Sequence, residues 1–256
     1  MLIEKCHFAG SQGELAAALD LPDGETRAYA LLAHCFTCSK DTLGARRISD
    51  ALTAHGIAVL RFDFTGLGSS EGEFANSSFS SNVEDLVHAA AYLRARGKAA
   101  SLLIGHSLGG SAVLAAAERI PEASAVVTLA APSDPSHIVN MFADHMDDIR
   151  ANGEVVVALA GRPFRIKSHF LDDISEHHLL PKVAWLQKAL LVMHASTDDT
   201  VGIENAASIF TAAKHPKSFV SLDRADHLLT NRADAEYVAG VIAAWASRYL
   251  SPERVV

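Results

Sequence analysis

Residues 101–117, SLLIGHSLGGSAVLAAA, decide the fold of this chain. The apolar run SLLIG predicts a buried β-strand, and SLGGSAVLAAA predicts a helix that ends before Pro121. Between them GHSLG (residues 105–109) matches G-x-S-x-G, a pattern that places its serine on a tight strand-to-helix turn. The glycines allow the strand and the helix to approach closely. The alternative is an ordinary junction with a serine N-cap, but the strand before it and the helix after it favour a nucleophilic Ser107.

Two other glycine motifs fail in this chain. Ser111 stands where a P-loop needs lysine, and the glycine run that begins at Gly66 ends in glutamate where a dinucleotide fingerprint needs glycine. We therefore expect no nucleotide cofactor. Serine chemistry needs no metal, so we expect no cofactor of any kind.

The composition of the chain excludes several classes of protein. It has 256 residues with 22 basic and 30 acidic side chains, a net charge of −8, which argues against a nucleic-acid surface. Its apolar runs are too short to span a membrane, and the N-terminus lacks a signal-peptide pattern. Three cysteines are too few for a disulfide scaffold. We expect a soluble cytoplasmic protein, and composition does not give its oligomeric state.

Short β-type runs alternate with helical patterns along most of the chain. This alternation predicts a mostly parallel sheet covered by helices on both faces. Strands are expected near residues 5–8 and 14–20, and a helix with Asp41 near its N-cap. Residues 133–186 break the rhythm with helical patches, a β-like run GEVVVALAG and the apolar-basic GRPFRIKSHF. We expect one domain over residues 1–256, with residues 133–186 as a cap insertion over the carboxyl ends of the strands.

A nucleophilic serine needs a general base, and the chain offers thirteen histidines. His227 lies in LDRADHLLT, between the last predicted strand and the last helix, on the same edge of the sheet as Ser107. The other candidates lie within a strand, at the far end of a helix or in the insertion: His194, His215, His177 and His178. We therefore expect His227 to be the base.

The base needs a carboxylate that orients it, and in proteins whose serine lies on a G-x-S-x-G turn this carboxylate precedes the histidine in the chain. HASTDDTVG follows the predicted strand ALLVM and offers two adjacent acids. Asp198 is favoured by its spacing from His194 and by the Val201 that follows. Asp199 remains the alternative.

Several segments resemble the α/β-hydrolase superfamily: the elbow around Ser107, DFTGLGSSEG, HASTDDTV and ADH. More narrowly, AHCFTCSKD, RFDFTGLGSSEGEF, GRPFRIK and HPKSFVSLDRADHLLT resemble the esterase half of proteins that join such a hydrolase to an OsmC-type thiol peroxidase domain. The resemblance implies an α/β-hydrolase fold with a mostly parallel eight-stranded sheet. In those fusions the OsmC-type domain follows at about the position where this sequence stops, so the resemblance leaves two alternatives, a standalone relative or the hydrolase part of such a fusion.

The segment HCFTCSK (residues 34–40) takes the place of the superfamily's H-G-x loop, which supplies one oxyanion donor. The resemblance implies that Phe36 N–H and Leu108 N–H form the oxyanion hole. Cys35 stands at the glycine position, and we expect ordinary backbone angles in the loop. Cys35 and Cys38 have three interpretations: packing of the oxyanion loop, a reversible disulfide or thiol switch, and part of a metal site. The last lacks further ligands.

These observations predict a serine esterase for short or medium acyl chains, acting on a small-molecule ester without nucleic-acid or membrane partners. A peptidase or thioesterase on the same triad is an alternative, as is a redox-linked partner module that uses Cys35 and Cys38. Phe164 and the following tentative pocket residues are expected to face the acyl group or to form the insertion's own core: Met141, Phe142, Phe170, Leu171 and Leu228.

Overall fold

A computed structural model describes residues 2–250 of the protein. An eight-stranded β-sheet forms its centre. The strands are β1 (Leu2–Gly10), β2 (Gly13–Leu21), β3 (Ala28–Ala33), β4 (Ile57–Phe62), β5 (Ala100–His106), β6 (Ala125–Leu129), β7 (Glu154–Leu159), β8 (Arg162–Lys167), β9 (Ala189–His194) and β10 (Lys217–Ser221). The helices are α1 (Leu43–Ala54), α2 (Phe79–Ala95), α3 (Leu108–Ala116), α4 (Met146–Asn152), α5 (Ser168–Ser175), α6 (Leu179–Ala184), α7 (Glu204–Ala212) and α8 (Arg232–Ala246). Short 3-10 helices cover Phe74–Asn76, Ala117–Arg119 and Pro135–His145.

The strand order of the sheet is β1-β2-β4-β3-β5-β6-β9-β10. β1 pairs antiparallel with β2 and β2 antiparallel with β4, whereas every later pair is parallel. The predicted fold class, a mostly parallel eight-stranded α/β sheet, is therefore confirmed. Parallel strands bring their carboxyl ends to one edge, so the segments that follow β3, β5, β9 and β10 meet there.

Helices cover both faces of the sheet. α1 and α8 pack together on one face, and α2 and α3 pack on the other. Every residue of β4 (IAVLRF) and of β9 (ALLVMH) is buried, which explains why these strands are nearly continuous apolar runs. Each fully buried aliphatic side chain contributes about 1.5–3 kcal/mol. Among residues 2–250, no helix is both long enough and apolar enough to cross a bilayer.

The charged residue of β4, Arg61, lies 3% exposed beside Asp20 of β2. Its Nε donates to Asp20 Oδ2 at 2.6 Å and one terminal nitrogen to Oδ1 at 3.0 Å, a bidentate pair. The other terminal nitrogen donates to the Lys40 carbonyl at 2.5 Å. Arg61 is also 3.2 Å from Asp41 Oδ1, so the guanidinium has two carboxylate partners. Because all these groups are paired, the sheet can bury them.

Several element boundaries differ from the predictions. β1 and β2 extend the expected strands, since the whole of LIEKCHFAG pairs with GELAAALDL. Helix α1 begins at Leu43 with Thr42 at its N-cap, so the N-cap is one residue after Asp41. Gly56 follows α1 with φ +80°, a left-handed angle that suits glycine.

The segment between β6 and β9, residues 130–188, contains α4, α5, α6 and an antiparallel hairpin of β7 and β8. The sequence GRPFRIK was not predicted to form a strand, yet it supplies β8. The hairpin turns at Ala160 and Gly161, whose φ values are +47° and +75°. Positive φ at both positions is what a two-residue type I′ turn requires, and Ala-Gly is a weaker signal for it than Asn-Gly.

Candidate active site

Ser107 lies on the turn between β5 and α3 and is 6% exposed. Its φ of +54° and ψ of −126° are unfavourable for a residue with a Cβ, a strain of about 1–3 kcal/mol that the surrounding structure must hold. A Cβ at Gly105 would lie 2.6 Å from Gly110 Cα, and one at Gly109 would lie 2.7 Å from the Ala33 carbonyl oxygen. Strand and helix are therefore so close that both glycine positions of the motif exclude a side chain.

His227 lies in the loop between β10 and α8 and reaches Ser107 across the edge of the sheet. Its Nε2 is 3.1 Å from Ser107 Oγ, and its Nδ1 is 2.8 Å from Asp198 Oδ2. With the proton on Nδ1, the ring donates to the carboxylate and accepts from the serine hydroxyl. The structure thus brings together three predicted residues that lie far apart in the sequence.

Asp198 follows β9, and its side chain is shielded from solvent. Its Oδ1 accepts backbone N–H bonds from Thr200 at 2.9 Å and from Val201 at 3.0 Å, which leaves Oδ2 for His227. Burial alone would raise the pKa of Asp198, but these hydrogen bonds, above all the one from His227, outweigh it and hold the pKa below its ordinary value. The adjacent Asp199 is exposed and lies 3.4 Å from Thr200 Oγ1.

His106 holds the backbone of His227. Its Nε2 donates to the His227 backbone carbonyl at 2.6 Å. Burial, followed by the proximity of His227, lowers the pKa of His106 to about 4, so its ring is neutral at pH 7. Sequence reasoning treated this residue only as a variable position of the motif, because nothing local links residues 106 and 227.

His194, the alternative base, has a different position. It is the last residue of β9 and is fully buried, with Nε2 donating to the Val201 carbonyl at 2.7 Å. Its Nε2 is also 3.7 Å from Asp198 Oδ2. His194 therefore lies behind the Asp198 loop, whereas His227 lies between that loop and Ser107.

The loop after β3 lies beside Ser107. Phe36 and Leu108 both line the cavity at Ser107, as the oxyanion prediction requires, although their roles remain a prediction. Leu108 is the first residue of α3, so its N–H has no partner within the helix. His34 is 2% exposed, and its Nδ1 donates to the Cys35 carbonyl at 2.8 Å while its Nε2 accepts from Phe64 N–H. Burial lowers the pKa of His34, which keeps the ring neutral.

Cys35 and Cys38 form a disulfide with a Cα–Cα distance of 5.3 Å. Their sulfurs are therefore occupied by each other, and in residues 2–250 no group of three or more His, Cys, Asp or Glu side chains is arranged to hold a metal ion. The expectation of ordinary backbone angles in this loop is wrong for Thr37, which has φ +58°. Cys6 is a free cysteine in β1.

A cavity of about 400 Å³ opens at Ser107 and His227. Of the predicted pocket residues, Met141 and Leu228 line it, and both are about half exposed. The sequence missed further residues of its wall, which come mainly from the 3-10 segment 135–145 and the loop after β9: Pro132, His137, Ile138, Asn140, Thr200 and Val201. Ile138 and Met141 are three residues apart, a helical spacing that could have indicated a shared face.

The structure places the other predicted pocket residues elsewhere. Phe142 and Phe170 are 2% and 4% exposed, with ring centroids 6.4 Å apart, and Leu171 packs against the same core. Phe164 packs edge-to-face against Phe74, with ring centroids 4.8 Å apart. These side chains form the insertion's own apolar core and its contact with the main sheet layer, so they correct the pocket prediction.

Comparison with known proteins gives the same fold. Residues 24–160, more than half of the chain, match the family described as "Serine aminopeptidase, S33". The esterase domain from a Rhodothermus marinus protein is 48% identical, with a TM-score of 0.79 over 98% of this chain and 100% of that one. Est1E from Butyrivibrio proteoclasticus, solved with ferulic acid, is 19% identical with a TM-score of 0.79 over 96% of this chain and 99% of that one, which shows a shared fold.

Among curated proteins, the mitochondrial palmitoyl-protein thioesterase ABHD10 of Mus musculus is 26% identical over 188 residues. The match covers 70% of this chain and 62% of the mouse protein, so it spans less than two thirds of that relative's length.

Proposed function

This chain belongs to the α/β-hydrolase family described as "Serine aminopeptidase, S33", and on that premise we propose that it is a serine hydrolase of carboxylic esters with short or medium acyl chains. The observation that carries the proposal is the continuous hydrogen-bonded arrangement from Ser107 Oγ through the His227 ring to Asp198, at 3.1 Å and 2.8 Å. It lies on a strained strand-to-helix turn that opens into a cavity. These are the geometric requirements for an activated serine nucleophile.

In the proposed mechanism Ser107 Oγ attacks the acyl carbonyl while His227 Nε2 takes its proton. Asp198 remains ionised, holds the tautomer of the ring and stabilises the imidazolium. The N–H groups of Phe36 and Leu108 bind the oxyanion, each worth about 2.7–4 kcal/mol in the barrier. His227 then protonates the leaving alcohol, and a water molecule releases the acid from the acyl-enzyme with His227 again as base.

The lining of the cavity favours esters over peptides with a free amino terminus. Its described wall contains Met141, Ile138, Val201 and Leu228 but no Asp or Glu that could pair with an α-ammonium group. A volume of about 400 Å³ is at the lower end of small-molecule sites, which suits a modest acyl group. The relative at 48% identity, described as an esterase domain, supports the same class.

Thioester hydrolysis is the second candidate function. It is favoured by the similarity to a protein named as a palmitoyl-protein thioesterase. The same triad attacks esters and thioesters alike, so the leaving group must be decided by experiment.

A fluorophosphonate probe and a substrate panel test the proposal. We expect the probe to label the wild type and not the Ser107→Ala variant. The matched control is Ser196→Ala, which removes an exposed serine after β9 and should keep full labelling. Absence of labelling in the folded wild type would refute the proposal in favour of a partner module without serine chemistry. Nitrophenyl esters of increasing acyl length, acyl thioesters and aminoacyl naphthylamides then give kcat/KM for each class, with the highest values expected for short and medium esters.

We further propose that residues 1–256 act as one catalytic unit in the cytoplasm, with residues 133–186 as its cap. The resemblance to esterase–OsmC fusions supports the proposal that an OsmC-type thiol peroxidase domain is its partner in the same polypeptide. The reading frame of the gene beyond the codon for Val256 tests this directly: an in-frame OsmC-type domain supports it, and a stop codon there refutes it.

A further inference from the structure

The disulfide closes the turn that carries the oxyanion donor Phe36. Cys38 N–H donates to the Cys35 carbonyl at 3.2 Å, and the Cα atoms of the two cysteines are 5.3 Å apart. Phe36 and Thr37 are therefore the central residues of a β-turn whose ends are joined twice, by a hydrogen bond and by a covalent bond.

The orientation of Phe36 N–H is set through the carbonyl of the residue before it. Cys35 C=O and Phe36 N–H belong to one planar peptide and point in opposite directions. The carbonyl accepts two hydrogen bonds, from His34 Nδ1 at 2.8 Å and from Cys38 N–H. Phe36 N–H, in contrast, donates to no other residue within the described range 2–250, and Phe36 is one of the residues that line the Ser107 cavity. The groups that fix the direction of the Cys35 carbonyl therefore also fix the direction of the Phe36 N–H.

The backbone of Thr37 shows that this turn needs constraints from the surrounding structure to keep its conformation. Its φ of +58° is an outlier for a β-branched residue, which prefers negative φ in an open loop. Such strain persists only where the surrounding structure over-determines the backbone. Around Thr37 the constraints are the disulfide and a hydrogen bond from Arg162 of β8 to its carbonyl.

From these observations we propose that the Cys35–Cys38 disulfide is a positioning element for catalysis, which holds Phe36 N–H towards the oxyanion. The inference rests on the proposed function of Ser107. Opening the bond lets Thr37 relax to negative φ and rotates the Cys35–Phe36 peptide away from the cavity. Ester binding depends mainly on the apolar wall, so the loss falls on kcat and not on KM.

A small dithiol can carry out the reduction through the cavity, because both cysteines line its wall and Cys38 is the more exposed. A thiolate of dithiothreitol attacks Cys38 Sγ and releases Cys35 as a thiolate. The second thiol of the reagent then displaces Cys38 and leaves as a cyclic disulfide. Two electrons pass to the protein, and each cysteine sulfur ends as a thiol or thiolate. Cytoplasmic disulfides are commonly of this reversible kind.

The test compares the oxidised and reduced wild type on one nitrophenyl ester, with thiol counting to confirm two new thiols. We expect kcat to fall at least about 10-fold on reduction, and not beyond the roughly 10²–10³-fold cost of losing one donor, with KM within about two-fold. Reoxidation restores kcat. The matched control is Cys6→Ser, which removes the free cysteine and must keep the full response to reductant. The double variant Cys35→Ser/Cys38→Ser should have the low kcat from the start and no response.

A second readout separates positioning from general loosening. An aryl boronic acid forms a tetrahedral adduct with the serine and uses the oxyanion hole, so its Ki should rise by the same factor as kcat falls, while circular dichroism shows a folded protein. Unchanged kcat and Ki in folded protein with two new thiols would overturn the inference and leave the esterase proposal standing. Failure of the oxidised wild type to hydrolyse any ester would overturn the proposed function itself.

Discussion

Replacing Asp198 by asparagine should inactivate the enzyme without unfolding it. Oδ1 of this residue accepts two backbone N–H bonds, from Thr200 at 2.9 Å and Val201 at 3.0 Å. In Asp198→Asn the amide oxygen must take that position, because an NH₂ group there would face two donors and lose two hydrogen bonds of about 1 kcal/mol each. The NH₂ group therefore points at His227 Nδ1 and forces this nitrogen to accept. The proton moves to Nε2, where the ring can no longer take one from Ser107.

A wrong tautomer of this kind costs about 10⁴-fold in kcat, or about 5 kcal/mol in the barrier. Steady-state hydrolysis of a nitrophenyl ester measures the loss, together with the rate of fluorophosphonate labelling. The matched control is Asp199→Asn, whose exposed carboxylate lies 3.4 Å from Thr200 Oγ1. It should stay within about two-fold of the wild type, as exposed substitutions usually do. A folded Asp198→Asn variant within ten-fold of the wild type, or a larger loss in Asp199→Asn, would refute the assignment of the acid.

Gly109→Ala should lower Tm or prevent soluble expression, because its Cβ would lie 2.7 Å from the Ala33 carbonyl oxygen; a variant as stable as the wild type would show that α3 can shift away from β3. Asp20→Ala should lower the unfolding free energy in urea titrations by about 1–3 kcal/mol, because the buried Arg61 guanidinium loses two hydrogen bonds and keeps only Asp41 as a carboxylate partner, and no measurable loss would mean that water replaces the Asp20 carboxylate. His106 has a folded pKa of about 4 against 6.5 when unfolded, so the unfolded chain binds more protons and stability falls as the pH falls through this window. His106→Gln should remove about 2 kcal/mol of the stability difference between pH 7 and pH 5, and an unchanged difference would contradict the lowered pKa of His106.

The position of Ser107 could be found from sequence because everything it needs is local. The strand before it, the glycines beside it and the helix after it are consecutive residues, and their close approach excludes side chains at Gly105 and Gly109. His227 could be found because parallel strands send their following loops to one edge of the sheet. In both cases a general rule of chain geometry is enough to predict the position of the residue.

No such general rule distinguishes Asp198 from Asp199. Adjacent residues in an irregular loop point in different directions, and the backbone N–H groups of Thr200 and Val201 decide which carboxylate is held towards His227. The support of that histidine by His106 joins residues 121 positions apart, and no local pattern signals it.

For the apolar residues of the insertion, too, the sequence does not indicate which neighbours they contact. Met141 and Phe142 are neighbours with similar hydrophobicity, yet Met141 is 46% exposed at the cavity and Phe142 is 2% exposed in the core. Phe142 itself breaks the helical backbone, with φ −139°, so helical periodicity cannot be extended through it. Hydrophobicity predicts that a side chain leaves water but not which partner it meets.

By itself the sequence determined the alternation of strands and helices, the strand-to-helix turn at Ser107 and the order of the acid and the base along the chain, because these depend on residues that are close in sequence or on the connection rules of parallel sheets. Only the tertiary structure decided which aspartate the histidine meets, which apolar side chains line the cavity and that Cys35 and Cys38 are joined beside it. These are contacts of a few ångströms between separate segments or neighbouring side chains. They depend on small backbone rotations, which no residue pattern encodes.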